Sequence, residues 1–221
     1  GDLNDDGRDD LVVVDLRDGD GAIYVVFGSV RGAVSLDDAD ARPTLDPDLG
    51  ALHAATGDVS GDGVPDLVVS AERDATSPAT DVVWVFTDAS TGELGPADAS
   101  STVSSAQVWA NGGAVVAAGG DFNRDGRGDL LVGAIRAETW LPSDDAVLFD
   151  QAGSVYALAG PIADGRVELT TATARLIAPE LRDLAVMSIA LAATSTVTAT
   201  TRSSSVRAGT RASTRTAASC G

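Results

Sequence analysis

The chain has 221 residues, with 33 Asp and Glu against 15 Lys and Arg, and a formal net charge of -18. Such a surface repels nucleic acid and anionic membranes and attracts cations. Apolar residues make up 44% and aromatic residues only 4%, so the core has to come from Val, Leu, Ile and Ala; a single Cys excludes an internal disulfide. No apolar run reaches the length of a membrane span, so no direct membrane insertion is expected.

The chain opens on Gly1-Asp2-Leu3-Asn4-Asp5-Asp6-Gly7-Arg8-Asp9-Asp10-Leu11-Val12-Val13, in the middle of a motif and without Met, and reads as a piece of a longer protein. The pattern returns as Gly57-Asp58-Val59-Ser60-Gly61-Asp62-Gly63-Val64-Pro65-Asp66-Leu67-Val68-Val69. It returns again as Gly120-Asp121-Phe122-Asn123-Arg124-Asp125-Gly126-Arg127-Gly128-Asp129-Leu130-Leu131-Val132. The leading aspartates, 2, 58 and 121, are 56 and 63 residues apart. A second element follows each copy in phase: Gly21-Ala22-Ile23-Tyr24-Val25-Val26-Phe27-Gly28, then Asp81-Val82-Val83-Trp84-Val85-Phe86, then Gly153-Ser154-Val155-Tyr156-Ala157-Leu158-Ala159-Gly160.

Short runs of Val, Leu, Ile and aromatics bounded by Gly and Asp predict strands. The small apolar stretches 51–56 and 114–119 predict an innermost strand before the second and third loops, and 36–50 and 88–105 read as outer strands and loops. No helical period occurs before about residue 178. A repeat of roughly 60 residues with several short strands fits a four-stranded propeller blade. The expected fold is therefore all-β, a partial β-propeller of three to four blades. Blade 1 covers 1–50 and lacks its N-terminal part, blade 2 covers 51–110, blade 3 covers 111–178, and 179–192 starts a fourth repeat.

Within each nine-residue loop, acids or short polar groups stand at positions 1, 3, 5 and 9. They are Asp2, Asn4, Asp6 and Asp10; Asp58, Ser60, Asp62 and Asp66; and Asp121, Asn123, Asp125 and Asp129. Calcium takes six to eight hard oxygen ligands, and a chain can offer them from alternate residues only by curling tightly round the ion. Gly7, Gly63 and Gly126 at position 6 permit that turn, and position 7 (Arg8, Val64, Arg127) would add its backbone carbonyl. An EF-hand would need Glu at position 12, where Val13, Val69 and Val132 stand inside strands. The ion, one per loop, is thus expected to staple two strands. Asp, Asn and Gly also favour plain turns, but three copies with one acid spacing weigh against that reading.

The loop, the Leu-Val-Val strand after it and the Gly-x-Val-Tyr-Val type of strand resemble the FG-GAP repeats of integrin α-subunit propellers and of many secreted bacterial proteins. The resemblance covers roughly residues 1–178. The elements that give the repeat its name depart from the pattern: Asn111-Gly112 and Leu49-Gly50 stand for Phe-Gly, and Gly133-Ala134-Ile135 stands for Gly-Ala-Pro. The resemblance implies a complete propeller of more blades than this chain supplies.

Other motifs carry less. Arg127-Gly128-Asp129 spells the integrin-ligand tripeptide, but Asp129 is already assigned to the loop. His53 has no second His or Cys for a zinc site and reads as structural. Trp84 alternates within a strand and reads as core, while Trp109 and Trp140 are candidates for lining a glycan site. No nucleophile elbow, P-loop or Cys/His pair is present, and no catalytic residue is assigned.

After Ala192 the composition changes. Residues 193–221 contain no Asp or Glu and consist mainly of Thr, Ser, Ala and Arg, with the lone Cys220. A low-complexity, disordered tail is one reading. A shifted reading frame is the other. Taken one base out of step, Ala193 to Thr201 permit Gly-Asp-Phe-Asp-Gly-Asp-Gly-His-Asp, and Arg202 to Arg207 permit Glu-Val-Leu-Val-Gly-Ala. That would be a fourth loop in phase, since Thr194 follows Asp121 by 73 residues.

The functional expectation is a non-catalytic, calcium-binding module for protein or glycan recognition or cell adhesion, with the remaining blades of a parent chain as its neighbours. The alternative is an accessory propeller of a secreted hydrolase or lyase whose catalytic domain lies elsewhere. Calcium loops of this kind fill outside the cytosol, so an extracellular, cell-surface or periplasmic location is expected.

Overall fold

The computed structural model describes residues 1–17, 20–43, 52–71, 81–89, 92–104, 112–134, 154–177 and 189–191. Trp109, Trp140, Cys220, the segment 179–192 expected to start a fourth repeat (apart from 189–191) and the tail 193–221 lie outside the described residues.

Each apolar run expected to be a strand is one. The first unit has β1 (Leu11–Arg17), β2 (Asp20–Val26) and β3 (Ala41–Pro43). The second has β4 (Leu52–Gly57), β5 (Asp66–Ala71), β6 (Asp81–Phe86), β7 (Gly92–Leu94) and β8 (Ser101–Ser104). The third has β9 (Gly112–Gly120), β10 (Asp129–Ala134), β11 (Ser154–Leu158), β12 (Gly165–Glu168) and β13 (Ala174–Ile177). The only helical pieces among the described residues are the 3-10 turns Leu36–Asp38, Pro96–Asp98 and Leu169–Thr171. Each starts five residues before an outer strand, at β3, β8 and β13.

In every unit the strands pair in chain order as an antiparallel meander, β1-β2-β3, β4-β5-β6-β8 and β9-β10-β11-β13. The register repeats as well. Val13 faces Tyr24, Val69 faces Trp84 and Val132 faces Tyr156. The nine-residue loops are the hairpin connections β4–β5 and β9–β10. In the first unit the same connection precedes β1 and is closed by the Asp10 amide on the Gly1 carbonyl at 2.8 Å.

One feature was not anticipated from the sequence. The short strands β7 and β12 leave their own unit and pair in parallel with the outer strand of the preceding one, β7 with β3 and β12 with β8. Each extends a neighbouring sheet at its outer edge. Side chains reinforce the second of these links, with Ser101 Oγ donating to the Ala163 carbonyl at 2.9 Å and Ser104 Oγ to Glu168 Oε1 at 2.9 Å.

Side-chain alternation decides the packing. In the middle sheet Val68, Val83, Val85 and Val103 turn to one face and join Val116, Leu130, Val132 and Tyr156 of the third. Leu67, Val69, Trp84 and Phe86 turn to the other and join Ile23 and Val25 of the first. The middle sheet is therefore buried on both faces, which is why its strands read Asp-Leu-Val-Val-Ser-Ala and Asp-Val-Val-Trp-Val-Phe rather than apolar-polar. Trp84 is core, as expected. The three sheets form an open stack, with no closed barrel among the described residues.

The stack is tightest at its loop edge, where backbones meet. A Cβ on Gly57 would strike the backbone of Gly119, and one on Gly128 would strike the Asp58 carbonyl oxygen. Glycine is the one residue that permits either approach.

Leu11 and Leu67 occupy the same place in their units, yet Leu67 is buried between sheets and Leu11 is half exposed. Leu67→Ala should lower the free energy of unfolding by about 2–5 kcal/mol, and Leu11→Ala by less than about 1 kcal/mol, in urea titrations of dilute protein. Equal losses would contradict the stacking order.

Candidate functional site

The three loops follow one backbone path. Position 4 is left-handed in each, at Asp5 (φ 56°), Gly61 (φ 81°) and Arg124 (φ 62°). Position 6 is left-handed at Gly7 (φ 83°), Gly63 (φ 96°) and Gly126 (φ 85°). Two left-handed residues within three positions curl the chain sharply, and left-handed geometry at an arginine is uncommon. Its recurrence at Arg124 shows that the loop shape, not local preference, sets the conformation there.

That curl directs amide groups at the carboxylates. At position 1, Asp2 accepts from the amides of Asp6 (3.0 Å) and Gly7 (2.8 Å). Asp121 accepts from Asp125 (3.0 Å) and Gly126 (2.9 Å), and Asp58 from Gly61 (2.7 Å) and Gly63 (3.0 Å). At position 3, Asn4 and Asn123 accept from the amides of Asp6 (3.2 Å) and Asp125 (3.0 Å). At position 5, Asp6, Asp62 and Asp125 accept from the amides of Arg8 (2.9 Å), Val64 (2.8 Å) and Arg127 (3.0 Å). The position-7 residues are thus placed by their own amides on the position-5 acids.

Position 9 differs, because its carboxylate is buried. Asp10 accepts from the amides of Leu3 (2.7 Å) and Gly28 (2.8 Å), and Asp129 from those of Phe122 (2.6 Å) and Gly160 (2.9 Å). One oxygen holds the start of the loop and the other holds the chain just past the next strand. Asp66 accepts from Val59 (2.7 Å) and Ser60 (2.8 Å), both through Oδ2. Gly28 and Gly160 were visible in the sequence as the ends of strand motifs, but nothing in it marked them as donors to an aspartate. In the second unit the corresponding place, two residues past Phe86, is Asp88.

Loop 2 therefore has a loose end. Asp66 Oδ1 and Ser60 Oγ are buried with no partner in hydrogen-bonding geometry. Burial pushes the Asp66 carboxyl above its ordinary value; the Ser60 and Val59 amides pull the other way and the Asp62 charge adds to the rise. The Ser60 hydroxyl also lowers the Asp66 pKa as a side-chain donor, so the two oxygens partly answer each other, and the spare lone pairs of this desolvated carboxylate are what a cation would satisfy. Loop 2 fits such an ion by this criterion. As placed, no three acidic, His or Cys side chains among the described residues stand together closely enough to hold a metal. The acids of positions 1 and 5 are turned onto loop amides instead, which leaves each carboxylate with further lone pairs.

The loops hold eleven carboxylates against Arg8, Arg124 and Arg127, a net of -8. The Arg8–Asp6 pair at 3.6 Å is exposed and relieves little of that repulsion. In the tripeptide Arg127-Gly128-Asp129 the acid is buried and Gly128 lies against the Asp58 backbone, so it is not available as a free recognition motif. His53 lies on β4, an edge strand of the middle sheet, opposite Ser70.

Asp129→Ala would strip acceptors from two amides and should cost about 2–5 kcal/mol in urea unfolding, with loss of hydrogen-exchange protection at Phe122 and Gly160. Retained protection at both amides would refute the clamp. A raised Asp66 pKa means that the folded form holds its proton more tightly than the unfolded form. In chelator, this group's contribution to stability falls as pH rises above the ordinary carboxylate range. Asp66→Asn should flatten that part of the slope in urea midpoints taken from about pH 4 to 7; an unchanged slope would refute it. Compared with protein-family models and with curated proteins, the chain matches none.

Proposed function

We propose that the three units are blades of an FG-GAP-type β-propeller, similar to the head of integrin α-subunits, and that each loop holds one calcium ion. The ligands would be the side chains of positions 1, 3, 5 and 9 and the carbonyl of position 7. The observation that carries the reading is the recurrence of left-handed backbone at positions 4 and 6 in three acid-lined loops, one of which leaves Asp66 Oδ1 buried without a backbone donor. Calcium would supply positive charge to an edge that carries a net of -8. It would thereby hold two strands of each hairpin in register.

In this reading the propeller is a non-catalytic recognition or adhesion module acting outside the cytosol. A rigid stack of sheets presents its connecting loops in fixed positions, and such loops are where binding residues collect. A protein or glycan is the class of ligand proposed.

Isothermal calorimetry with calcium tests the central step. Three sites with Kd of order 10⁻⁴–10⁻³ M are expected, the range of extracellular modules. Asp62→Ala should weaken the second site more than Ser60→Ala. Saturating calcium should also raise the urea midpoint, since an ion that binds only the folded state stabilises it by mass action. No heat and no midpoint shift at millimolar calcium would overturn the proposal.

A further inference from the structure

The three loops share left-handed turns at positions 4 and 6, but the state of their acceptors differs, and loop 2 stands apart at three places. The first is position 9. Asp10 gives one oxygen to each of two amides, Leu3 and Gly28, and Asp129 does the same with Phe122 and Gly160. Asp66 takes both of its amides, Val59 and Ser60, on Oδ2. Its Oδ1 is left buried without a backbone donor, on a residue only 1% exposed. The Ser60 hydroxyl bears on this carboxylate and the Asp62 charge is felt there, so it lies against positions 3 and 5 of its own loop.

The second place is position 5. Asp6 Oδ1 accepts from the Arg8 amide, and its Oδ2 pairs with the Arg8 guanidinium at 3.6 Å. Asp125 Oδ1 accepts from the Arg127 amide, and its Oδ2 from Asn123 Nδ2 at 3.0 Å. Asp62 Oδ1 accepts from the Val64 amide, and its Oδ2 has no partner among the described residues. The third place is the local charge. Loop 1 contains Arg8 and loop 3 contains Arg124 and Arg127, whereas Gly61 and Val64 stand at those positions of loop 2.

Net charge alone would rank the loops differently. Loop 1 also carries Asp5 and Asp9 and is the most acidic. Both are exposed, so water weakens their pull and salt screens it beyond a Debye length of ~8 Å. The Asp66 carboxylate is desolvated, and its attraction for an ion is screened much less. Open lone pairs at Asp62 and Asp66 also let an ion coordinate without first displacing a guanidinium or an amide.

We infer that the loops are unequal and that loop 2 takes calcium first and most tightly, with Asp62 and Asp66 as the residues that set its affinity. Arg8 in loop 1 and Asn123 in loop 3 hold the position-5 acid of their own loops and keep those sites weaker. The inference rests on the calcium reading proposed above and deepens it, since that reading treats the three loops alike.

Calcium titration of the full chain, followed by NMR of its amides, tests it. Gly7, Gly63 and Gly126 each donate to the position-1 acid of their own loop, so their amides report on the three loops separately. Half-saturation at Gly63 is expected at a calcium concentration about fivefold or more below those at Gly7 and Gly126. Asp66→Asn should raise the Gly63 midpoint by about tenfold and leave the midpoints at Gly7 and Gly126 in place. Val64→Arg, which gives loop 2 the position-7 arginine of the other two, should raise the Gly63 midpoint by about two- to fivefold, and Arg8→Val should lower that of Gly7 by a similar factor. The position-7 variants change no ligand, because that position would offer only its backbone carbonyl, and they serve should Asp66→Asn fail to fold. A Gly63 midpoint equal to or above that of Gly7 or Gly126 would overturn the inference and leave the calcium reading standing. No movement at any of the three glycines would overturn both.

Discussion

Much of the structure hangs on the buried carboxylate at the ninth position of each loop. Asp10 and Asp129 each take one amide from the first turn of the loop and one from the glycine past the following strand. A charged acceptor bound by two amides inside a sheet edge is a strong and directional link. In the first and third units it ties the start of the loop to the end of the second strand of the hairpin, beside the pairs Val13–Tyr24 and Val132–Tyr156. Asp66 holds only the start of its loop, through the Val59 and Ser60 amides on Oδ2, and this is the local irregularity of an otherwise regular array.

From that register the stacking follows. Alternate residues of β5 and β6 leave the middle sheet on opposite faces, and both faces are filled with Val, Leu and aromatic side chains from its neighbours. Such a chain has little aromatic volume to spend, so close approach replaces bulk. The loop backbones touch at Gly57, Gly119 and Gly128, and the sheets exchange short strands at their outer edges. The same device operates between the first and second units and between the second and third. Mechanical coherence along the stack therefore comes from repetition of one joint.

The joint also gathers the charge. Loops that belong to sequence segments more than fifty residues apart stand beside one another, joined by the contacts of Gly1 with Pro65 and of Asp58 with Gly128. The acids thereby form one edge of the molecule rather than separate turns. Mutual repulsion along that edge opposes the packing that creates it, unless positive charge is supplied. This tension links the structure to the proposed function, and it is greatest at loop 2, where the desolvated Asp66 carboxylate lies near Asp62.

The sequence by itself determined the all-β class, the repeat and the position of most strands, because three copies of one pattern were printed in it and strand runs of Val and Leu bounded by Gly and Asp have few other readings. It also determined which residues line the loops. It did not reveal that the position-1 and position-5 acids turn onto loop amides, since that depends on left-handed backbone at Asp5, Gly61 and Arg124, residues of three different types. Nor could it reveal that Gly28 and Gly160 answer the buried aspartates from 18 and 31 residues away. The parallel pairing of β7 and β12 was illegible for a related reason: three or four residues carry too little pattern to announce a partner, and their partners lie in another unit. Only the tertiary structure decided which Leu and Val of the repeat are buried. Leu11 and Leu67 are the same residue in the same local setting, and the presence or absence of a neighbouring sheet makes one of them surface and the other core.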